Sequence, residues 1–208
     1  MKIIPSEAWK IASLTKKSLV LSDIQKQLIV GTLLGDGTLE KNGRYHRLKV
    51  QQSVNQKEYV LWKYGILKNW VISEPHYQAV NRSLRFRTVS HPILSDLRSQ
   101  FYRDGVKIVP DNVEEFLEKP LVLATWFMDD GNAIIRKGKL SGWHINSHSF
   151  TEMENKKLAQ ILKNIYSLSV ALESNHKKQR IRINKSSYLL FMKAIKDSVI
   201  DSMQYKLG

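Results

Sequence analysis

The order of patterns along this chain occurs twice, and that repetition limits what it can fold into. Ser22 with Gln25 has capping-box spacing and opens a helix over 24–35. That helix is apolar nearly all round: Leu28, Ile29, Val30, Leu33 and Leu34 belong to a core and not to a half-exposed face. It stops at Asp36-Gly37. A glycine-bearing hairpin follows over 38–45. Arg47-Leu48-Lys49-Val50-Gln51 then alternates with period two, which predicts a strand with Leu48 and Val50 inward and Arg47, Lys49 and Gln51 outward. A helix is expected over 56–70, an alternating strand over 83–87, and a further helix opened by His91-Pro92 and ended by Asp104-Gly105. From Pro120 the order recurs. An apolar helix over 120–130 ends at Asp130-Gly131, and short strands are separated at Gly138 and Gly142. A second capping box, Thr151 with Glu154, opens a helix to about 166. An alternating strand spans 180–184, and a last helix is expected over 187–200. A period of roughly ninety residues suggests two fused domains more than a solenoid.

Charge narrows the partner. Lys+Arg number 33 against 19 Asp+Glu, a net charge of +14, on a chain that is 42% hydrophobic. Such an excess on a folded domain predicts a polyanionic partner, with an intracellular nucleic acid as the first expectation. With no cysteine, disulfides, zinc fingers and thiol catalysis are excluded, and any metal must be held by oxygen or histidine. No apolar run approaches the ~20 residues needed to span a bilayer. The first seventeen residues lack the apolar stretch of a signal peptide, so neither a membrane nor a targeting signal is expected.

The repeated helix ends carry the chemistry. An acid at a helix C-terminus opposes the macrodipole, so a cation is expected beside each. If the two apolar helices pack together, Asp36 and Asp130 meet near a pseudo-twofold axis. Gly31 and Gly35 permit a close approach in the first helix, and Ala124 and Thr125 are small in the second. Paired carboxylates with open coordination suit Mg²⁺ and phosphodiester hydrolysis.

Ile29-Val30-Gly31-Thr32-Leu33-Leu34-Gly35-Asp36-Gly37 resembles the LAGLIDADG motif of homing endonucleases, and so does Leu123-Ala124-Thr125-Trp126-Phe127-Met128-Asp129-Asp130-Gly131. Two copies in one chain resemble the single-chain, pseudosymmetric type. The second copy departs from the motif by Thr125 and Asp129, and its Trp-Phe-Met-Asp-Asp-Gly form resembles the branch containing yeast mitochondrial intron enzymes. The resemblance implies an α+β fold of two pseudosymmetric αββαββα halves, each with a four-stranded antiparallel saddle sheet, joined by the packed motif helices. Residues 22–104 would form the first half, 105–119 a linker and 120–208 the second half; 1–21 has no assignable role. It also implies metal binding by Asp36 and Asp130 with the carbonyls of Gly35 and Asp129, and active-site lysines at Lys107 and Lys206. Polar residues near the metals would be Gln51 or Gln52 in one half and Asn146 in the other. Alternation favours Gln51 unless a bulge intervenes. Mg²⁺ is the expected ion, with Mn²⁺ substituting and Ca²⁺ binding without cleavage.

The expected DNA surface is basic. Arg47, Lys49, Arg85, Arg87, Arg180, Arg182 and Asn184 lie on the outer face of alternating strands. Arg44, Arg136, Lys137, Lys139, His144, Lys177 and Lys178 lie on strands or turns. Arginine reads guanine bidentately in the major groove, and lysine more often binds phosphate. The partner implied is duplex DNA at a long asymmetric site, cut by a monomer and promoting mobility of an intron or intein. Intron RNA, as in a maturase, and an inactive DNA-binding regulator are the alternatives.

Overall fold

The computed structural model describes residues 18–175 and 178–208. Lys177, expected at the DNA, and most of the 1–21 segment lie outside the described residues. Helix α1 (Asp23–Leu34) begins where its capping box places it: the Gln25 amide donates to Ser22 Oγ at 3.3 Å, and Gln25 Oε1 accepts from the Ser22 amide at 3.1 Å. Strands β1 (Thr38–Asn42) and β2 (Tyr45–Ser53) form the expected hairpin. Helix α2 (Lys57–Ile66) is shorter than the expected 56–70, because the chain tightens into a 3-10 turn at Lys68–Trp70. Strands β3 (His76–Gln78) and β4 (Ser83–Arg87) and helix α3 (Pro92–Phe101) complete the first repeat.

The second repeat opens with α5 (Pro120–Asp130), whose proline occupies the first turn, where its missing N–H costs nothing. Strands β7 (Gly131–Arg136) and β8 (Lys139–Ile145), helix α6 (Glu152–Tyr166), strands β9 (Val170–Asn175) and β10 (Lys178–Asn184), and helix α7 (Tyr188–Ile195) follow. Each repeat builds one four-stranded antiparallel sheet, in order β1-β2-β4-β3 and β7-β8-β10-β9. Between the repeats, a two-stranded ribbon of β5 (Tyr102–Arg103) and β6 (Val106–Lys107) precedes the short helix α4 (Val113–Leu117). The 105–119 segment is no bare tether: Val109, Val113 and Leu117 are buried in the core. These pieces are too short to show a period. The expected last helix ends five residues early, and 3-10 turns at Lys196–Ser198 and Asp201–Lys206 carry the chain on.

The motif helices pack on one another along their length. A Cβ added at Gly31 would lie 2.6 Å from Thr125 Cβ and 2.7 Å from the Val122 carbonyl, and one added at Gly35 would collide with Asp129 Cβ. Thr125 and Asp129 occupy the same two motif positions as Gly31 and Gly35. Where the first copy has no side chain, the second copy supplies one. The two departures from the motif are therefore packing partners of the first copy's glycines. A single hydrophobic core continues through both halves and buries Trp70, Trp126 and Trp143 completely.

Among the described residues no helix is long and apolar enough to cross a membrane. Gly31→Ala tests the helix contact. On an exposed helix that change gains about 1 kcal/mol. Here, overpacking against a carbonyl is expected to reverse the sign and cost about 1–3 kcal/mol in urea unfolding, and a gain would refute the contact.

Candidate active site

Both motif helices end at one place in the centre of the molecule, and each ends on a lysine. Lys107, on the β5–β6 ribbon, donates from Nζ to the carbonyls of Gly35 at 2.7 Å and Gly37 at 2.8 Å. Lys206, in the C-terminal 3-10 turn, donates to those of Met128 at 2.6 Å and Asp129 at 2.8 Å. Each lysine so meets the negative end of a helix whose own terminal residues are acidic. Two unlike pieces of local structure deliver the pair to equivalent points. Burial lowers the pKa of both amines, against the pull of Asp130, Asp129 and Asp36.

The three acids differ in their surroundings. Asp129 is enclosed: Oδ1 accepts from Lys63 Nζ at 2.7 Å and from Gln52 Nε2 at 2.7 Å, and Oδ2 accepts from the Asp36 amide at 3.3 Å. The side chains of Lys63 and Asp129 are 1% and 0% exposed. This carboxylate is saturated by structural partners, and only its backbone carbonyl is turned to the Lys206 side. Among the described residues, Asp36 and Asp130 have no such ion pair. Burial, reinforced by Asp129, raises the Asp36 carboxyl; burial, reinforced by Asp36 and Asp129, pushes Asp130 up to about 8. Asp36, open to solvent, and half-buried Asp130, both with a raised carboxyl pKa and both beside the carbonyls of Gly35 and Asp129, are a site that gains from a hard cation with oxygen preference. The donors fit such an ion as two carboxylates with carbonyls of Gly35 and Asp129. Among the described residues no cluster of three or more His, Asp or Glu side chains is arranged to hold an ion.

The strand residues need one correction. Register runs without interruption from Lys49 to Ser53 against β4, so no bulge occurs there. Parity then places Gln51 outward, hydrogen-bonded to Ser83 at 2.8 Å, and Gln52 inward with Leu48 and Val50. Gln52 is the one that touches the acids, bridging Asp129 and Asp36, the latter at 3.2 Å. At its end the inner face of β2 leaves the apolar core and meets the helix termini, so inward there no longer means apolar. Gln51 lines the open groove that also contains Asp36, Lys49 and Gln52. Asn146 lies beside Asp130, but through that residue's backbone: its side chain donates to the Asp130 carbonyl at 2.9 Å and to Asn132 Oδ1 at 3.0 Å.

Lys63 and its neighbour Tyr59 were absent from the expected site. Tyr59 donates to the Thr125 carbonyl at 3.2 Å, and its ring lies 4.4 Å from Lys63 Nζ. Their signal was present. Tyr59, Lys63 and Leu67 follow at four-residue spacing, a lysine on an apolar helix stripe, and buried lysines are rare unless paired.

The basic residues divide by their restraint. Arg47 and Arg87 are held by Glu40, Arg85 reaches His76 Nε2 at 3.1 Å, and Arg180 and Arg182 lie near Glu173. His144 is 7% exposed and bonded to Glu173 at 2.7 Å, so it is a buried partner of that acid and less open than expected. Asn184 donates to Ser169 Oγ at 2.9 Å. Arg136, Lys137 and Lys139 form an exposed hairpin tip, Lys178 is exposed, and Arg44 is exposed over the Tyr45 ring; Lys49 lines the groove beside Asp36.

Residues 26–191 match the LAGLIDADG DNA endonuclease family. The chain is 30% identical to the DNA endonuclease I-ChuI of Chlamydomonas applanata over 90% of its own length and 96% of that protein. It is 27% identical to the cytochrome b mRNA maturase bI2 of Debaryomyces hansenii, covering 88% and 72% of the two chains. Its fold superposes with TM-score 0.84 on the homing endonuclease I-WcaI bound to its DNA recognition sequence, at 25% identity over 96% of this chain and 92% of that one.

Two measurements test this geometry. Lys63→Met strands the Asp129 charge and is expected to cost about 3–5 kcal/mol in chemical unfolding, much of it recovered on adding Asp129→Asn. An unchanged midpoint would show that the pair is not buried. Second, the raised Asp130 carboxyl binds a proton in the folded state that the unfolded chain gives up near 3.8. Its contribution is complete at acid pH and is lost as pH rises through about 8. In EDTA, Asp130→Asn should flatten the fall in stability between acid and alkaline pH and leave the variant the more stable at alkaline pH; a parallel profile would refute the shift.

Proposed function

Because the chain belongs to the LAGLIDADG DNA endonuclease family, we propose that it is a site-specific homing endonuclease, cutting both strands of a long duplex site as a monomer. The observation that carries this reading is the meeting of Asp36 and Asp130, each beside a lysine-capped helix end, between two basic sheets. Each motif helix end so carries one acid and one lysine, which suits one phosphodiester on each strand. A divalent metal goes with the family, and Mg²⁺ is the ion we assign, since it keeps waters and shares phosphate oxygens. When bound, it supplies Lewis-acid charge to the scissile phosphate.

The chain's own residues do the rest. Asp36 and Asp130 would hold the ion as carboxylates, with the carbonyls of Gly35 and Asp129 beside them. Lys107 and Lys206 place fixed positive charge where a phosphate gains negative charge. Gln51, lining the groove at Asp36, and Asn146, anchored to the Asp130 carbonyl, orient water or phosphate oxygen. Gln52 holds Asp36 in place directly, its amide shared between Asp36 and Asp129. The outer faces of the sheets lie along the major groove, where arginines meet base edges and lysines meet phosphate. Promotion of intron or intein mobility follows from this cutting activity. A second reading, as an intron RNA maturase, is favoured by the likeness to the Debaryomyces protein.

The decisive assay incubates purified protein with the duplex of its own locus lacking the inserted element, with Mg²⁺ or EDTA. A staggered, Mg²⁺-dependent break near the insertion point is expected; binding without cleavage, with faster splicing of the intron, would replace this reading by the maturase. Asp36→Asn should abolish cutting and retain binding in Ca²⁺. Lys107→Met should slow cutting by about 10²–10³-fold, the loss typical of one electrostatic stabiliser, and full activity would remove it from the site.

A further inference from the structure

The basic sheets carry two acids that the endonuclease reading does not use. Glu40 Oε1 accepts from Arg47 Nε and Nη2, both at 2.7 Å, and lies 2.5 Å from Arg87 Nε. In the other half Glu173 Oε2 accepts from His144 at 2.7 Å, and its oxygens lie 3.7 Å from Arg180 and 3.8 Å from Arg182. We propose that Glu40 and Glu173 are positioning residues for sequence readout, each fixing the arginines of its own half in the pose that meets guanine. This rests on the DNA-endonuclease reading.

Three observations carry it. First, the two acids are not copies of one another. Glu40 is on β1, the edge strand next to β2, whereas Glu173 is on β9, the opposite edge of its sheet. Duplication did not hand the arrangement from one half to the other, yet both halves set an arginine pair against one carboxylate, bonded at Glu40 and in looser ion pairs at Glu173. Second, the arginines are restrained and not splayed into solvent: side chains of Arg47, Arg87, Arg180 and Arg182 are 28%, 27%, 19% and 22% exposed. Third, a carboxylate facing a polyanion opposes binding, and exposed ion pairs add little to stability. A gain from ordering the readers offsets that opposition.

The chemistry fits the task. A guanidinium has five N–H donors, and Arg47 spends two on Glu40, so a fork remains for O6 and N7 of guanine. A pre-ordered arginine loses less rotamer entropy on binding, and a fixed fork that meets the wrong base stays unpaired, which is how discrimination arises. The closer contacts at Glu40 predict the stricter readout in the first half.

The test uses the full-length protein and a pool of duplexes randomised across the site, selected in Ca²⁺ and sequenced. Wild type should enrich a motif with guanines in both halves. Glu40→Gln should relax preference by roughly tenfold at guanines of one half only, and Glu173→Gln at those of the other, while both variants bind random duplex more tightly. Preferences kept in both halves, or lost evenly across the site, would overturn the inference and leave the endonuclease reading intact. Wild type enriching no motif would overturn that reading, and the inference with it. Melting temperature monitors folding; should Glu40→Gln melt early, Glu40→Thr, a strand former on the same face, carries the same expectation.

Discussion

The close approach of the two motif helices is the constraint on which the remaining structure depends. It exists because Gly31 and Gly35 present bare backbone to Thr125 and Asp129. Any side chain on the first copy would hold the helices apart, and with them the acids at their ends. The helices are also the shared wall of one core that continues into both sheets. Moving them would move Asp36 and Asp130 and tilt the two basic surfaces. A symmetric dimer would have to place the same residue on both sides of each crossing. A fused duplication can set glycine against threonine and glycine against aspartate, and this chain does so.

That asymmetry brings a charge into the interior. Asp129 fills the space over Gly35, where an unpaired carboxylate is costly. Lys63 from α2 neutralises it, and Gln52 and the Asp36 amide complete its hydrogen bonds. The group that fills the helix contact therefore also holds the backbone of the neighbouring acid and shares with its side chain the amide of Gln52. Opposite it, burial reinforced by Asp36 and Asp129 pushes the Asp130 carboxyl up to about 8. The two halves share a plan while their acids differ in environment. Lys107 and Lys206, arriving on unrelated segments, then return the helix ends to electrostatic balance.

Much of this was legible in residues with strong local signals. The capping boxes at Ser22 and Thr151, the apolar helices and the alternating strands at 83–87 and 180–184 all have a period or a cap to read. The repeated Asp-Gly at each helix end pointed to the place of the chemistry, and the motif resemblance named the family to which the chain belongs. Segments with no period were not legible: β3, the β5–β6 ribbon, α4 and the terminal 3-10 turns depend on contacts distant in sequence. Lys63 was readable in principle, as a charge on an apolar stripe, but its partner lies sixty-six positions away.

The sequence by itself determined the duplicated plan, the basic strands and the two acids that end the motif helices, because caps, periods and spacing are local properties. Only the tertiary structure decided which glutamine reaches the acids. Parity alone says Gln52 faces inward, and it takes the packed helix ends to make the inside at that point polar. The same holds for the fate of Asp129, an extra acid in sequence and a saturated packing element in the fold. It holds too for Glu40 and Glu173, ordinary acids along the chain that the sheets bring against arginines from neighbouring strands. Pairing of this kind depends on which strands lie side by side, and that order is set by the fold.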